Sequence, residues 1–311
     1  MSEHVIESKI NSMSKVTKYT EALDTVFTQK SVTSFFEDNA LRTRFVNAKT
    51  VLIPDIEFVG LVDYDRDTGF ARSAITIQNE TYTLTMDRAR SIQMDREDMD
   101  ETGIANLAGK VLGEYVRTKV VPECDAYVLS KIFAVATAVP ENKQTKVHAE
   151  GEELAELTAA INGVRKVAGY DEELVAFVES DFYAALENSK DISRMITVSD
   201  FKKGEINLKV KSINGVALIP VTPDRMMSAY EFKTSGTEKE GGFEPAAGAK
   251  QIRLIVMPKS GAHLVKKTEK MRVFTPEQNI DADSYKFDYR VYFDVFVKKS
   301  GKKNIQAVYS E

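Results

Sequence analysis

The sequence predicts an α+β chain: a compact α/β block at about residues 146–265, inserted into a helix-plus-sheet layer. Three observations lead there. Residues 102–138 carry the strongest helical periodicity. Residues 285–297 alternate apolar and polar without a slip. Between them, short strand patterns alternate with short helical ones.

Composition narrows the function classes. The chain has 311 residues, 43% of them hydrophobic, enough for one large domain or two modest ones with a substantial core. Charged residues make up 29% and the net charge is −5. Proteins that grip nucleic acid through its phosphates carry a basic surplus, so sequence-specific nucleic-acid binding is not expected. The single cysteine, Cys124, excludes an internal disulfide and sits in a helical pattern as a buried structural thiol rather than a nucleophile. His4, His148 and His263 share no metal-ligand spacing. The amino terminus, MSEHVIESKINSMSK, has no apolar signal core, and no run approaches the roughly 18 apolar residues of a membrane span. A chain made and used in the cytoplasm, with no membrane partner, is the expectation.

The elements follow in order. Val16, Tyr19, Leu23 and Val26 predict a short helix over 14–28. A second is expected near 31–40, with Ser31 or Thr33 as cap and Phe35 and Phe36 as anchors. Residues 49–87 read as two strands around the turn DYDRDTG. Ile75 and Ile77 are odd-numbered whereas Tyr82, Leu84 and Met86 are even, which predicts a bulge or break near Asn79–Thr81. Thr81, Thr83 and Thr85 form the opposite, polar face. A long hairpin is marginal alone in water, so this one is either an arm supported by another surface or part of a larger sheet. Ile104, Leu107, Val111 and Tyr115 start the long helix, and Pro122 is expected to kink or end it. Uninterrupted, it would run about 50 Å at ~1.5 Å per residue. Asp98, Asp100 and Glu101 precede its positive end.

Further on, Leu154, Leu157, Ile161, Val164 and Ala168 predict a helix over 151–169. A buried strand at 174–180 and a short helix at 181–188 follow. Asn214–Gly215 between INLKVKSI and VALIPV marks a hairpin. Residues 233–250 read as a surface loop, and 252–257 and 262–267 as strands. The last long strand, 285–297, presents one apolar face, with IQAVY (305–309) expected to pair beside it. The long helix and this strand should pack together.

No motif carries chemistry. Asp95, Glu97, Asp98, Asp100 and Glu101 could hold a divalent metal or act as an acid/base pair, but Arg88, Arg90 and Arg96 interleave with them and favour ion pairing. DYDRDTG lacks the glycine and distal glutamate of a calcium loop. Gly241–Gly242 does not open a phosphate-binding helix, and no Gly-x-Ser-x-Gly elbow exists. The pairs Lys266–Lys267, Lys298–Lys299 and Lys302–Lys303 read as strand-end solubilising charge. No cofactor, metal or catalytic residue is expected, and the chain reads as a non-enzyme.

Four stretches in order resemble one family. They are VLIPDIEFVGLVDYDRDTGF; residues 87–127, with DRAR, MDREDMDET and EYVRTKVVPECDAY; NGVALIPVTPDRM; and VFTPEQNIDADSYKFDYRVYFDVFV. Together they are similar to the major capsid proteins of tailed bacteriophages and prophages, especially those of Gram-positive hosts. The resemblance implies an HK-ninety-seven-type capsid fold: an amino-terminal arm at 1–48, an extended E-loop hairpin at 49–88, a peripheral domain at 89–145 and 266–311 with a long spine helix, and an axial domain at 146–265. It implies self-assembly as hexamers and pentamers into an icosahedral shell enclosing phage DNA, in a virion assembled in the bacterial host cytoplasm. A portal protein, and a separate scaffold or a head-maturation protease, would be partners. Only about 48 residues precede the hairpin, so a fused scaffolding segment is not expected. Asp63, Asp65 and Arg66 at the hairpin tip, and Arg88, Arg90, Asp95 and Glu97 at its base, are the candidate intersubunit contacts. Two alternatives stay open: an encapsulin-like compartment shell, and a soluble α/β enzyme with an unrecognised site.

Overall fold

The structure is a computed structural model that describes residues 27, 30–37, 44–47, 49–57, 60–64, 66, 76–97, 112–139, 142, 146–189, 197–203, 206–234 and 241–310. The expected helix at 14–28, apart from Phe27, and residues 102–111 of the expected long helix lie outside them.

A one-turn 3-10 helix, Ser34–Glu37, opens the described chain. β1 (Arg44–Phe45), β2 (Thr50–Glu57) and β3 (Thr76–Thr83) form a small antiparallel sheet. β4 (Met86–Asp95) follows immediately but belongs to another sheet. Residues 112–115 are helical, Val116–Val120 form a π turn, and α1 (Val121–Ala138) continues from it. Next come β5 (Lys146–Val147), α2 (Glu153–Ala168), β6 (Leu174–Glu179), α3 (Ser180–Asn188), β7 (Thr197–Lys203), β8 (Ile206–Ile213) and β9 (Val216–Val221). β10 (Tyr230–Phe232) and β11 (Phe243–Pro245) make a small hairpin. β12 (Gln251–Pro258), β13 (His263–Phe274), β14 (Ser284–Phe296) and β15 (Gln306–Ser310) complete the chain.

Two sheets sandwich α1. One is seven-stranded, in the order β5-β15-β12-β6-β9-β8-β7; the other is antiparallel, in the order β13-β14-β4. A single core joins Val128, Leu129 and Ile132 of α1 to Phe287, Tyr289 and Phe293 of β14, and to Val175, Phe177, Ile255 and Met257 of the larger sheet. That sheet's other face is covered by α2 and α3, through Leu157, Ile161, Val164, Phe182 and Leu186. Burial on both faces explains the unbroken apolar runs Leu174–Val178 of β6 and Leu254–Met257 of β12. The expected contact between long helix and long strand is present.

Several sequence expectations need correction. The β2–β3 register runs from Thr50↔Thr83 to Glu57↔Thr76 with no bulge at Asn79–Thr81. Parity is kept because Glu80 itself takes a buried position, bonded to Tyr82 Oη and to the Lys299 amide at 3.3 Å. The expected polar face, Thr81, Thr83 and Thr85, is exposed.

Pro122 does not end the helix. It lacks an N–H, and its ring would crowd an α-helical carbonyl four residues back. The π turn just before it, closed by Val121 N–H to Val116 O, widens the helix where that conflict would fall. IQAVY does not pair with the last long strand. Both edges of β14 are taken by β13 and β4, and β15 pairs with β12 and β5. Nor does β14 bury only one face: Tyr292 and Phe296, on its second face, close a third cluster with Val51, Ile53 and Leu84 at the hairpin root. The 233–250 loop contains β11. The Asn214–Gly215 hairpin is present, with φ 53° and 77°, the two left-handed residues that a type I′ turn requires.

Phe35 stacks on Phe177 with ring centroids 6.1 Å apart and is 1% exposed. Phe35→Ala should lower the unfolding free energy by about 3–5 kcal/mol, whereas exchanging the fully exposed Ile280 for Ala should change it by less than ~0.5 kcal/mol; urea titration of the two variants checks both.

Candidate functional site

Three buried carboxylates organise the molecule. Asp125, on the first turns of α1, is fully buried. It accepts from Ser31 Oγ and Thr33 Oγ1, each at 2.7 Å, from the Val32 and Thr33 amides at 3.2 and 3.3 Å, and from Arg225 Nη1 at 3.2 Å. Through these hydroxyls Ser31 and Thr33 bind the amino-terminal segment to α1. Asp294, on β14, accepts from the Thr85 amide and hydroxyl, both at 3.0 Å, and from Tyr127 Oη at 2.9 Å, and it pairs with Lys131. It locks the β3–β4 break and α1 to β14. Glu179 caps α3 through the Asp181 and Phe182 amides at 2.9 and 3.1 Å and meets Arg253 at 2.8 Å. Burial pushes the Glu179 carboxyl up, but those two amides and the Arg253 guanidinium outweigh it and hold it below the usual carboxylate range.

A fourth cluster, around Lys266, secures the same amino-terminal segment. Its ammonium lies 2.8 Å from Glu37, 2.9 Å from Glu269 and 3.8 Å from the Phe27 ring centroid. Burial pulls this lysine down, yet Glu269 and Glu37 more than offset it and raise it above its ordinary value.

The sequence-derived candidates do not converge on one point. Arg88, Arg90 and their neighbours lie on a strand, β4, rather than on a joint between elements. Its outward residues, Asp87, Ala89, Ser91, Gln93 and Asp95, are exposed and the intervening ones are not, a period-2 signal that was present in the sequence. Arg88 is committed within the chain: to Glu123 at 2.5 Å, to Lys233 O at 2.8 Å and to Gly242 O at 3.2 Å. The Arg90 guanidinium lies beside Gly241, 3.7 Å from where a Cβ there would sit. Asp95 and Glu97 are exposed beside one another, with the Glu97 amide 2.9 Å from Asp95 Oδ1. Asp63 and Arg66 are exposed at the hairpin tip, and Asp65 lies outside the described residues. The unbroken β2–β3 ladder, from Thr50↔Thr83 to Glu57↔Thr76, is about 25 Å long at ~3.3 Å per residue. Leu61, Val62 and Tyr64 at that tip are exposed, Leu61 completely.

Between β4, the π turn, the 222–225 turn and the β10–β11 hairpin lies an open cleft of about 1070 Å³. Its apolar floor includes Tyr115, Tyr289, Val291 and Phe293, and its rim includes Arg88, Arg90, Lys119 and Glu123. The one cysteine at its base, Cys124, is buried, and burial raises its thiol well above the ordinary value, which withholds the thiolate that chemistry would need. Among the described residues no three His, Cys, Asp or Glu side chains converge to hold a metal ion, and no helix is long and apolar enough to cross a membrane.

No protein-family model and no curated protein sequence matches the chain. Solved structures do. The capsid of cyanophage P-SCSP1u aligns over 89% of this chain and 88% of its own, at 13% identity and a TM-score of 0.56. The mature capsid of bacteriophage PhiM1 covers 85% and 82%, at 17% identity and a TM-score of 0.54. The fold is that of phage capsid proteins. A virus-like particle from Pyrococcus furiosus shares it over 96% of this chain and 99% of that one, at 11% identity and a TM-score of 0.51. The capsid fold accounts for a plate in which a long helix is clamped between two sheets and a hairpin projects with apolar residues at its tip.

The depressed Glu179 carboxyl has a pH signature. Its stabilisation is present above the unfolded-state value near pH ~4.3 and is lost as pH falls through the lower folded value. Glu179→Gln should therefore cost about 1–3 kcal/mol at pH 7, and the gap to the parent chain should close below pH ~4; unfolding curves at both pH values check it.

Proposed function

We propose that this chain is a major capsid protein that assembles as hexamers and pentamers into an icosahedral shell enclosing phage DNA. The observation that carries the reading is the β2–β3 hairpin on a capsid fold: a long arm rooted on β14, with Leu61, Val62 and Tyr64 open to solvent at its tip. Large apolar side chains on an isolated projection are costly in water and suit burial against another subunit. Symmetric repetition lets modest interfaces of this kind sum to a stable shell.

In this reading residues 1–48 form the arm, 49–88 the E-loop, 89–145 with 266–311 the peripheral domain, and 146–265 the axial domain. Asp63, Asp65, Arg66, Asp95 and Glu97 face neighbouring subunits. Arg88 and Arg90, at the hairpin base, also contribute intersubunit contacts, from the wall of the cleft they line. The chain acts structurally rather than as an enzyme. Its location is the virion, with assembly in the bacterial host cytoplasm. A portal protein, and a separate scaffold or a head-maturation protease, are its further partners.

A second reading, an encapsulin-like compartment shell, is favoured by the near-complete two-way coverage of the Pyrococcus particle. Negative-stain electron microscopy and nuclease treatment of the assembled protein separate the two. Closed shells holding nuclease-protected DNA are the expected result. Shells that hold a co-purifying protein and no DNA would favour the compartment, and a stable monomer would contradict both.

A further inference from the structure

We propose that two lysine-bearing turns, residues 259–261 between β12 and β13 and residues 298–303 between β14 and β15, form one surface that contacts the phosphate backbone of double-stranded DNA without reading its sequence. The inference deepens the shell reading above by assigning the part of the subunit that meets the enclosed genome.

The lysines are scattered in sequence and gathered in space. Residues 298–303 read KKSGKK, four lysines in six positions with no acid. Lys259 lies far upstream. The β13–β14 ladder begins at His263↔Phe296, so the chain entering β13 and the chain leaving β14 run side by side. A Cβ on Gly301 would sit 3.9 Å from the Gly261 carbonyl oxygen. The two turns therefore make one knob, and a chain of net charge −5 gathers Lys259, Lys298, Lys299, Lys302 and Lys303 on it.

The fold does not neutralise this charge. Lys259 pairs with Glu173 at 3.1 Å, and Ser260 Oγ lies 3.3 Å from Glu172. Glu80, buried against the knob, already accepts from the Lys299 amide and from Tyr82 Oη. Lys298, Lys299 and Lys302 form no ion pair among the described residues. Like charges held this close repel one another, and a dense row of anions laid over them removes that cost. The base is stiff as well. Asn142 Nδ2 donates to Lys302 O at 3.0 Å and to Ile305 O at 2.9 Å. The Gly301 amide closes on Lys298 O at 3.0 Å and the Asn304 amide on Gly301 O at 3.1 Å. Only the lysine side chains need ordering when a ligand arrives.

Residue type selects the ligand. Lysine is a compact point charge that suits phosphate but lacks the planar fork with which arginine reads guanine. Neither turn carries an aromatic side chain, so unpaired bases find no stacking platform. A duplex presents one charge per ~1.7 Å of its axis, a density that an acidic protein segment rarely matches. Intact double-stranded DNA, held by its phosphates, fits all three features.

The test is fluorescence anisotropy of a short labelled duplex, titrated with the full chain at concentrations where size exclusion shows free subunits. Binding should weaken steeply with salt, and a duplex of unrelated sequence should bind alike. Lys298→Gln, Lys299→Gln, Lys302→Gln and Lys303→Gln together should cut affinity roughly tenfold or more at low salt and flatten the log–log salt slope by about 3. Lys30→Gln, Lys119→Gln, Lys166→Gln and Lys270→Gln together change the net charge equally from exposed positions elsewhere, and should shift that slope by less than about 1. Equal losses in the two quadruple variants, no duplex binding by the parent chain, or tighter binding of poly-glutamate than of the duplex would overturn the proposal. Should the patch variant not fold, lysine acetylation of the parent decides. Bound duplex should shield Lys298, Lys299, Lys302 and Lys303 while Lys166 and Lys270 stay reactive; uniform reactivity overturns the proposal. Free-subunit binding does not depend on assembly, so the two readings fail separately. A chain that makes shells but binds no duplex overturns the patch alone, and one that binds through the patch but stays a monomer overturns the shell alone.

Discussion

The fold depends on keeping buried carboxylates fully partnered around one helix. Asp125 projects from α1, and Asp294 meets Tyr127 and Lys131 of the same helix. Each would cost several kcal/mol if left buried without partners. Each is instead surrounded by donors from segments far away in sequence: Ser31, Thr33 and Arg225 around Asp125, and Thr85 around Asp294. Apolar burial places α1 between the sheets, and these two sites determine which segments may sit against it. The amino-terminal segment, the hairpin root and the 223–225 turn are thereby held to one rigid member.

That arrangement explains how a thin projecting arm is tolerated. The hairpin has a small apolar root, with Val51 and Ile53 against Tyr292 and Phe296; Glu80 accepts a hydrogen bond from the Lys299 amide and the Thr85 amide donates to Asp294, which completes the attachment. Beyond its far end, Leu61, Val62 and Tyr64 are exposed, apolar surface of a kind that marks interaction sites when it is contiguous.

Much of the local structure was legible in the sequence. The Asn214–Gly215 hairpin, α2, β6 and the packing of α1 on β14 follow from turn chemistry and periodicity alone. The errors have distinct physical causes. A buried charge looks polar in a periodicity count, so Glu80 suggested a broken strand and Asp294 suggested a solvent-facing edge, although both are inward. Pro122 suggested a helix end because the remedy, a π turn, has no sequence signature. IQAVY was assigned to the neighbouring long strand because pairing across a sequence distance of roughly fifty residues (Ala307 with Ile255) is set by which edges remain free. The candidate contacts were less legible still. The intrachain partners of Arg88, namely Glu123, Lys233 and Gly242, are distant in the chain and carry no local signal.

The central claim is that the segment around Ser31 and Thr33 is an integral part of the core, bolted to α1 through Asp125. Hydrogen exchange of the Val32 and Thr33 amides tests it most directly, because both donate to that carboxylate. Protection matching that of the α1 amides, lost together with the segment's order in Asp125→Ala, is the predicted result. Exchange at the rate of an unstructured chain, while α1 stays protected, would contradict it.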